Sequence, residues 1–266
     1  SKEKPELLFY GDFDGSGNKR IVEAKFEGKT CYPRRGFSCS SGAMPALRNR
    51  LKTFENFARS TLGDLYGDVL PGSLRLEANT LESCILLNNG NARFNVTKLP
   101  RAAQFSPSQG VLLSDLDGDG LTDCVLAQNF FGAQPEIGLL DSGLSVFLHG
   151  RGSGRFLAAG PDKSGIRVAG AATALTTADL NLDGRPELAF AVNDSPVMFF
   201  SELPVSNQSH KLFEVRLRGK PGNLVSVGAR ITLSSLTTSQ SQTSEITAGS
   251  GYLGQSEAAR WFGLGP

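Results

Sequence analysis

Cysteine, methionine and tryptophan are scarce: the chain of 266 residues has four, two and one of them. Four thiols, at Cys31, Cys39, Cys84 and Cys124, are too few to staple a disulfide scaffold, and none has the C-x-x-C spacing that suits zinc. Only Cys31 and Cys39 lie near each other, flanking a turn-rich stretch; they would either bridge in an oxidising compartment or stand as two small buried thiols. An excess of one charge is also missing, with 27 basic and 26 acidic residues scattered along the chain. No field is available to hold a phosphate backbone, which argues against nucleic acid as a partner. No run of about 20 apolar residues could cross a bilayer, so the fragment has no membrane span. The opening SKEKPELLFY carries neither an initiator Met nor a basic-then-apolar leader, and reads as a piece of something longer.

What is abundant is glycine, 31 residues against a usual share of roughly 7%. That bias favours tight turns and many short strands. Hydrophobic residues make up 39% of the chain, enough for one or two packed domains.

Self-comparison shows a repeat. Tyr10-Gly-Asp-Phe-Asp-Gly-Ser-Gly-Asn-Lys-Arg-Ile-Val, Ser114-Asp-Leu-Asp-Gly-Asp-Gly-Leu-Thr-Asp-Cys-Val-Leu and Ala178-Asp-Leu-Asn-Leu-Asp-Gly-Arg-Pro-Glu-Leu-Ala-Phe share one pattern. Apolar residues precede an acidic, glycine-containing loop and a β-rich run follows it, which predicts strand, loop, strand. A second element recurs as Ile85-Leu-Leu-Asn-Asn-Gly-Asn-Ala-Arg-Phe94 and Val146-Phe-Leu-His-Gly-Arg-Gly-Ser-Gly-Arg-Phe156, with G-x-x-R-F closing both. Each unit is then two hairpins, the four strands of one propeller blade.

The fold class expected is all-β: partial β-propeller blades over 1–205 and a small C-terminal β-sandwich-like domain over 206–266, with the boundary near Ser206 to Ser209. Asp115 and Asp179 are 64 residues apart but Asp12 and Asp115 are 103 apart, and the excess lies between Thr30 and Gly67. Leu47, Leu51, Phe54, Phe57, Ala58, Leu62 and Leu65 follow helical spacing there, predicting an inserted helix or helical pair over about 43–66. Three units are fewer than a closed propeller needs, so exposed edge strands would have to be covered by the rest of a propeller or by another chain. Beyond Pro204 the segments Lys211–Gly219, Ala229–Ser234 and Thr243–Ala248 alternate apolar with polar, as half-buried strands do.

The acidic loops predict calcium. Asp115, Asp117, Asp119 and Asp123 occupy positions 1, 3, 5 and 9 of a nine-residue loop, with the Leu121 carbonyl at position 7. A hard cation takes six to eight oxygens, and alternate residues of a tightly wound loop converge to supply them. Four carboxylates so close repel one another unless a cation sits among them. The second loop repeats the pattern with Asp179, Asn181, Asp183, the Arg185 carbonyl and Glu187, one charge fewer. In the first, Asp12, Asp14, Ser16 and Asn18 fill positions 1, 3, 5 and 7, but position 9 is Arg20; the alternative there is a vestigial turn with an Asp–Arg ion pair. Asp12 to Glu23 also nearly fits an EF-hand, yet an EF-hand needs flanking helices and these flanks look extended.

On these loops and the Asn88-Asn-Gly-Asn-Ala-Arg-Phe element the chain resembles the FG-GAP/VCBS repeat family, whose loops bind calcium in blades of an integrin-α-like propeller. Gly228-Ala-Arg-Ile, Thr247-Ala-Gly-Ser-Gly-Tyr-Leu-Gly-Gln-Ser256 and Phe262-Gly-Leu-Gly265 are similar to the ASPIC/UnbV domain. Arg20, the helical insertion and Trp261 depart from the pattern. The resemblance implies a secreted, periplasmic or cell-surface protein that binds Ca²⁺ and serves as a binding or scaffold module for protein or glycan ligands, rather than an enzyme.

Other chemistry is thin. Gly249-Ser-Gly-Tyr-Leu-Gly254 fits G-x-G-x-x-G, but the residues after it are too few for a dinucleotide-binding βαβ unit of roughly 30. His149 and His210 have no partner motif and read as surface or strand-end residues. Asn95, Asn193 and Asn207 begin glycosylation triplets of a kind that arises by chance. Tyr252, Trp261 and Phe262 would suit either a core or a sugar-stacking platform, the latter fitting the alternative of a carbohydrate-binding or sugar-acting accessory protein. A catalytic site would require regions outside this chain to complete it.

Overall fold

Alternation of apolar and polar residues decides where the first strands lie. Leu7 and Phe9 point inward along β1 (Glu6–Gly11), and Val22 and Ala24 do so along β2 (Arg20–Glu27). In the computed structural model, which describes residues 3–134, 138–201, 211–235 and 241–264, this hairpin gains β3 (Thr30–Pro33) and β4 (Leu74–Ala78). The resulting antiparallel sheet has the order β3-β2-β1-β4. Between β3 and β4 run four short helices: α1 (Phe37–Ala43), α2 (Pro45–Leu51), α3 (Phe54–Arg59) and α4 (Leu62–Tyr66).

Helices therefore fill the stretch where an inserted helix or helical pair was expected, but they begin at Phe37 and come in four pieces rather than one or two. Pro45 ends one helix and begins the next, Lys52 takes a left-handed φ of 62°, and Thr61 with Asp64 forms a capping box that starts the last. These breaks spoil the single helical stripe. Phe37, Leu47, Phe57, Leu62, Leu65 and Tyr66 join the β1–β2 core, whereas Phe54 and Ala58 are exposed. No disulfide joins Cys31 to Cys39.

The chain divides into two compact units, Ser1–Leu81 and Glu82–Pro266. The second opens with a hairpin of β5 (Cys84–Asn88) and β6 (Phe94–Lys98), which form a sheet of their own. The repeat predicted that this hairpin would complete a blade with β1 and β2. It does not, because β3 and β4, the strands that flank the insertion, already occupy both edges of the β1–β2 hairpin.

A complete blade follows: β7 (Ser108–Ser114), β8 (Asp123–Gln128), β9 (Val146–Gly150) and β10 (Phe156–Ala159) form a four-stranded antiparallel meander. After α5 (Pro161–Ser164), β11 (Ala172–Ala178), β12 (Glu187–Val192) and β13 (Met198–Phe200) make a three-stranded sheet. Every residue of β8 is buried, since both its faces are covered. Val125 and Ala127 pack towards Leu175, Leu188 and Phe190 of the next sheet, and Leu126 packs with Leu148 and Ala103 on the opposite side. Where β7 crosses β11, a Cβ on Gly110 would lie 2.9 Å from the Leu175 backbone nitrogen, so the two sheets approach as they do only because that residue is glycine.

The C-terminal region holds two two-stranded ladders, β14 (Leu212–Arg216) with β17 (Ala259–Gly263) and β15 (Arg230–Ser234) with β16 (Ser241–Glu245). Alternation located three of these strands. It missed β17, whose Ala259, Trp261 and Phe262 are all buried and leave no alternation to read. The expected 205/206 boundary, His210 and the Asn207 triplet lie outside the described residues.

Candidate metal centre

Each acidic loop joins two antiparallel strands, β1–β2, β7–β8 and β11–β12, as the repeat pattern required and an EF-hand would not allow. The three loops share their winding. The N–H of the position-six glycine donates to Oδ2 of the position-one aspartate: Gly17 to Asp12 at 2.8 Å, Gly120 to Asp115 at 2.8 Å and Gly184 to Asp179 at 3.0 Å. All three glycines have a left-handed φ, of 79°, 88° and 85°, which fixes that residue type. In the two later loops the position-nine acid closes the turn on the position-two N–H, Asp123 on Leu116 at 3.0 Å and Glu187 on Leu180 at 2.7 Å.

The 115–123 loop brings the most acids together. Carboxylate oxygens of Asp115, Asp117 and Asp119 lie within 4.8 Å of one another, and so do ligand atoms of Asp117, Asp123 and His149. Backbone amides share the load of holding them. Asp115 accepts N–H groups from Gly118, Gly120 and Gly263, and Asp123 accepts from Leu116 and Gly150. Repulsion among the acids is thus answered in part by N–H donors, and a cation is not the sole means of balancing them. A carboxylate has about four lone-pair sites, so each still keeps capacity for a metal, Asp115 at Oδ1. An all-oxygen loop of this kind fits a hard cation such as Ca²⁺.

Burial is deep at both ends of the loop. It pushes the Asp123 carboxyl up to about 6, with the N–H groups of Gly150 and Leu116 pulling the other way and the Asp117 and Asp115 charges adding to the rise. Asp115 is raised as well, again by burial first.

His149 is the residue that sequence reading missed. It lies on β9 with Nδ1 3.1 Å from Asp117 Oδ2, half-buried against the loop rather than idle at a strand end. The second repeat element gave no signal for it, because in the register of the two hairpins Leu87, an apolar residue, stands where His149 does.

The 179–187 loop is tied mostly to itself. Asp183 N–H donates to Asp179 and to Asn181, and Asn181 Nδ2 donates to Asp183 Oδ2 at 3.0 Å. Leu182 takes a left-handed φ of 62° where the other loops have glycine. In the 12–20 loop the Arg20 guanidinium stands 3.6 Å from Asp14 and supplies the positive charge a metal would bring. Ser16 accepts from the Asn18 N–H, and hydrogen bonding from Ser16 holds the Asp14 carboxyl below its ordinary range. Asp12 and Asp14 both accept the Ser16 N–H, at 3.1 and 3.2 Å, so this loop winds as the others do but brings only two acids.

Trp261 and Phe262 are 5% and 2% exposed and belong to the core, so with Tyr252 alone at the surface these three residues form no stacking platform. No helix among the described residues is long and apolar enough to cross a membrane.

Comparison with known families gives two matches: residues 115–190 match the FG-GAP-like repeat, and residues 219–266 match ASPIC and UnbV. No curated protein matches the chain. The two later acidic loops fall inside the first match and β17 inside the second, so the chain is similar to an FG-GAP-like repeat over 115–190 and to ASPIC and UnbV over 219–266.

Proposed function

We propose that this chain is a calcium-binding part of an extracytoplasmic binding or scaffold protein, with its best site at 115–123. Asp115, Asp117, Asp119 and Asp123 would supply carboxylate oxygens and Leu121 its carbonyl; Asp179, Asn181, Asp183, Arg185 through its carbonyl and Glu187 would form a second, weaker loop. The observation that carries the reading is the convergence of three carboxylates within 4.8 Å on a hairpin loop that leaves each of them lone pairs to spare. The matched domains support the coarser part, an extracellular-type binding module rather than a catalyst; its partner would be a protein or glycan at the cell surface.

The role of the ion is structural: it would pin the hairpin that carries β8 into the centre of the blade. At a hundredfold excess over Kd, a ligand that binds only the folded state stabilises it by about 2.7 kcal/mol. For a unit of this size that corresponds to a rise in Tm of roughly 5–11 °C. Calorimetric titration with CaCl₂ and thermal melts with and without EGTA test this directly. A melt indifferent to both, with no heat of binding, would remove calcium from the account.

A further inference from the structure

The C-terminal region reaches back to both later acidic loops. From β17 the Gly263 N–H donates to Asp115 Oδ2 at 2.8 Å, on the same oxygen that accepts from Gly120. There is no space for a side chain, because a Cβ on Gly263 would lie 2.1 Å from that oxygen and 2.4 Å from the Gly118 carbonyl carbon. Just before β17, Glu257 Oε2 accepts from the Asp179 N–H at 3.1 Å, and the Glu257 N–H donates to the Thr177 carbonyl at 2.9 Å. Thr176 Oγ1 donates to the Gln255 carbonyl at 2.7 Å. The position-one residue of each loop is therefore held from the C-terminal side, Asp115 by its carboxylate and Asp179 by its backbone.

We propose that Gly263 is a positioning residue for the 115–123 loop, so that seating of the β17 segment and occupancy of the loop by a cation are thermodynamically linked; this rests on the calcium reading above. Two of the three N–H groups on Asp115 come from the loop itself and form whenever it winds. The third comes from a residue 148 positions away and exists only while β17 is seated. Oδ2 is filled by Gly263 and Gly120, while Oδ1, which accepts from Gly118, keeps one lone pair to spare. Without Gly263 the carboxylate keeps its two loop donors, Gly118 on Oδ1 and Gly120 on Oδ2, but loses the one donor that ties its position to β17. Linkage is reciprocal, so a cation that favours the fixed carboxylate tightens the seat of β17 by the same factor. Trp261 and Phe262, beside Gly263 on β17, are buried and anchor the strand that carries it.

The test is amide hydrogen exchange on the full chain, read at residues 259–264 with and without calcium, together with calorimetric titration of the same sample. Calcium is expected to slow exchange at Gly263 and Leu264 roughly tenfold, and Gly263→Ala to weaken calcium binding by a similar factor while abolishing the calcium dependence of exchange. A purely structural glycine would let calcium slow these amides no more than those of β8, which any stabilisation of the folded state also protects. Calcium that binds with measurable heat yet leaves exchange at 259–264 unchanged overturns the linkage and spares the calcium reading. No heat and no change in exchange overturns both. Should Gly263→Ala fail to fold, the measurement on the unaltered chain still decides.

Discussion

Asp123 has no exposed surface, lies near Asp115 and Asp117, and carries the largest consequence of burial in the loop. Its carboxyl titrates near 6 in the folded protein against an ordinary value of 3.8. A folded-state value above the unfolded one means that protonation stabilises the metal-free fold: the contribution is complete below about pH 3.8 and is lost as pH rises through about 6. A cation reverses the preference, because it binds the ionised form and displaces the proton. Calcium affinity measured by calorimetry should therefore fall roughly tenfold from pH 7 to pH 5. Equal affinities at the two values would exclude Asp123 as a ligand. The identity and spacing of such residues were legible in the sequence. Their burial was not, since it depends on Gly150 from β9 and on the strands closing around β8.

At the scale of the hairpin, sequence similarity became geometrical identity. The G-x-x-R-F turns of the two second hairpins close with matching bonds, Asn89 N–H to Arg93 carbonyl at 2.8 Å and Arg151 N–H to Arg155 carbonyl at 2.8 Å, and their central residues share left-handed φ values. The acidic loops repeat in the same way, with one informative exception. The 12–20 loop has the glycine at position six and the aspartate at position one, and differs at position nine, where Arg20 faces Asp14. Arg20→Asp should therefore create a further site, raising the calcium stoichiometry found by calorimetric titration by about one per chain. Unchanged stoichiometry would show that winding and position nine together are not enough. Helices were less legible than turns, because α1 (Phe-Ser-Cys-Ser-Ser-Gly-Ala) has little helix propensity and is held by the burial of Phe37, Ser40 and Ser41.

At the scale of the whole molecule, the chain passes from one unit with its own core to a second at residues 79–82, all of which are exposed. Limited proteolysis should cut there before it cuts within β7–β10, leaving a fragment that begins near Glu82; first cleavage inside the blade would contradict the division. The sequence by itself determined what is local: acidic loops between strands, left-handed glycines, turn chemistry and the existence of an insertion, each governed by residues within a dozen positions. Only the tertiary structure decided which strands pair and what closes the loops. The edges of the β1–β2 hairpin went to β3 and β4 rather than to the expected second hairpin, and Gly263 and His149 came to the 115–123 loop from distant strands. Edge pairing and close approach are settled by competition among segments far apart in the chain, and a spacing rule that reads one segment at a time has no access to that competition.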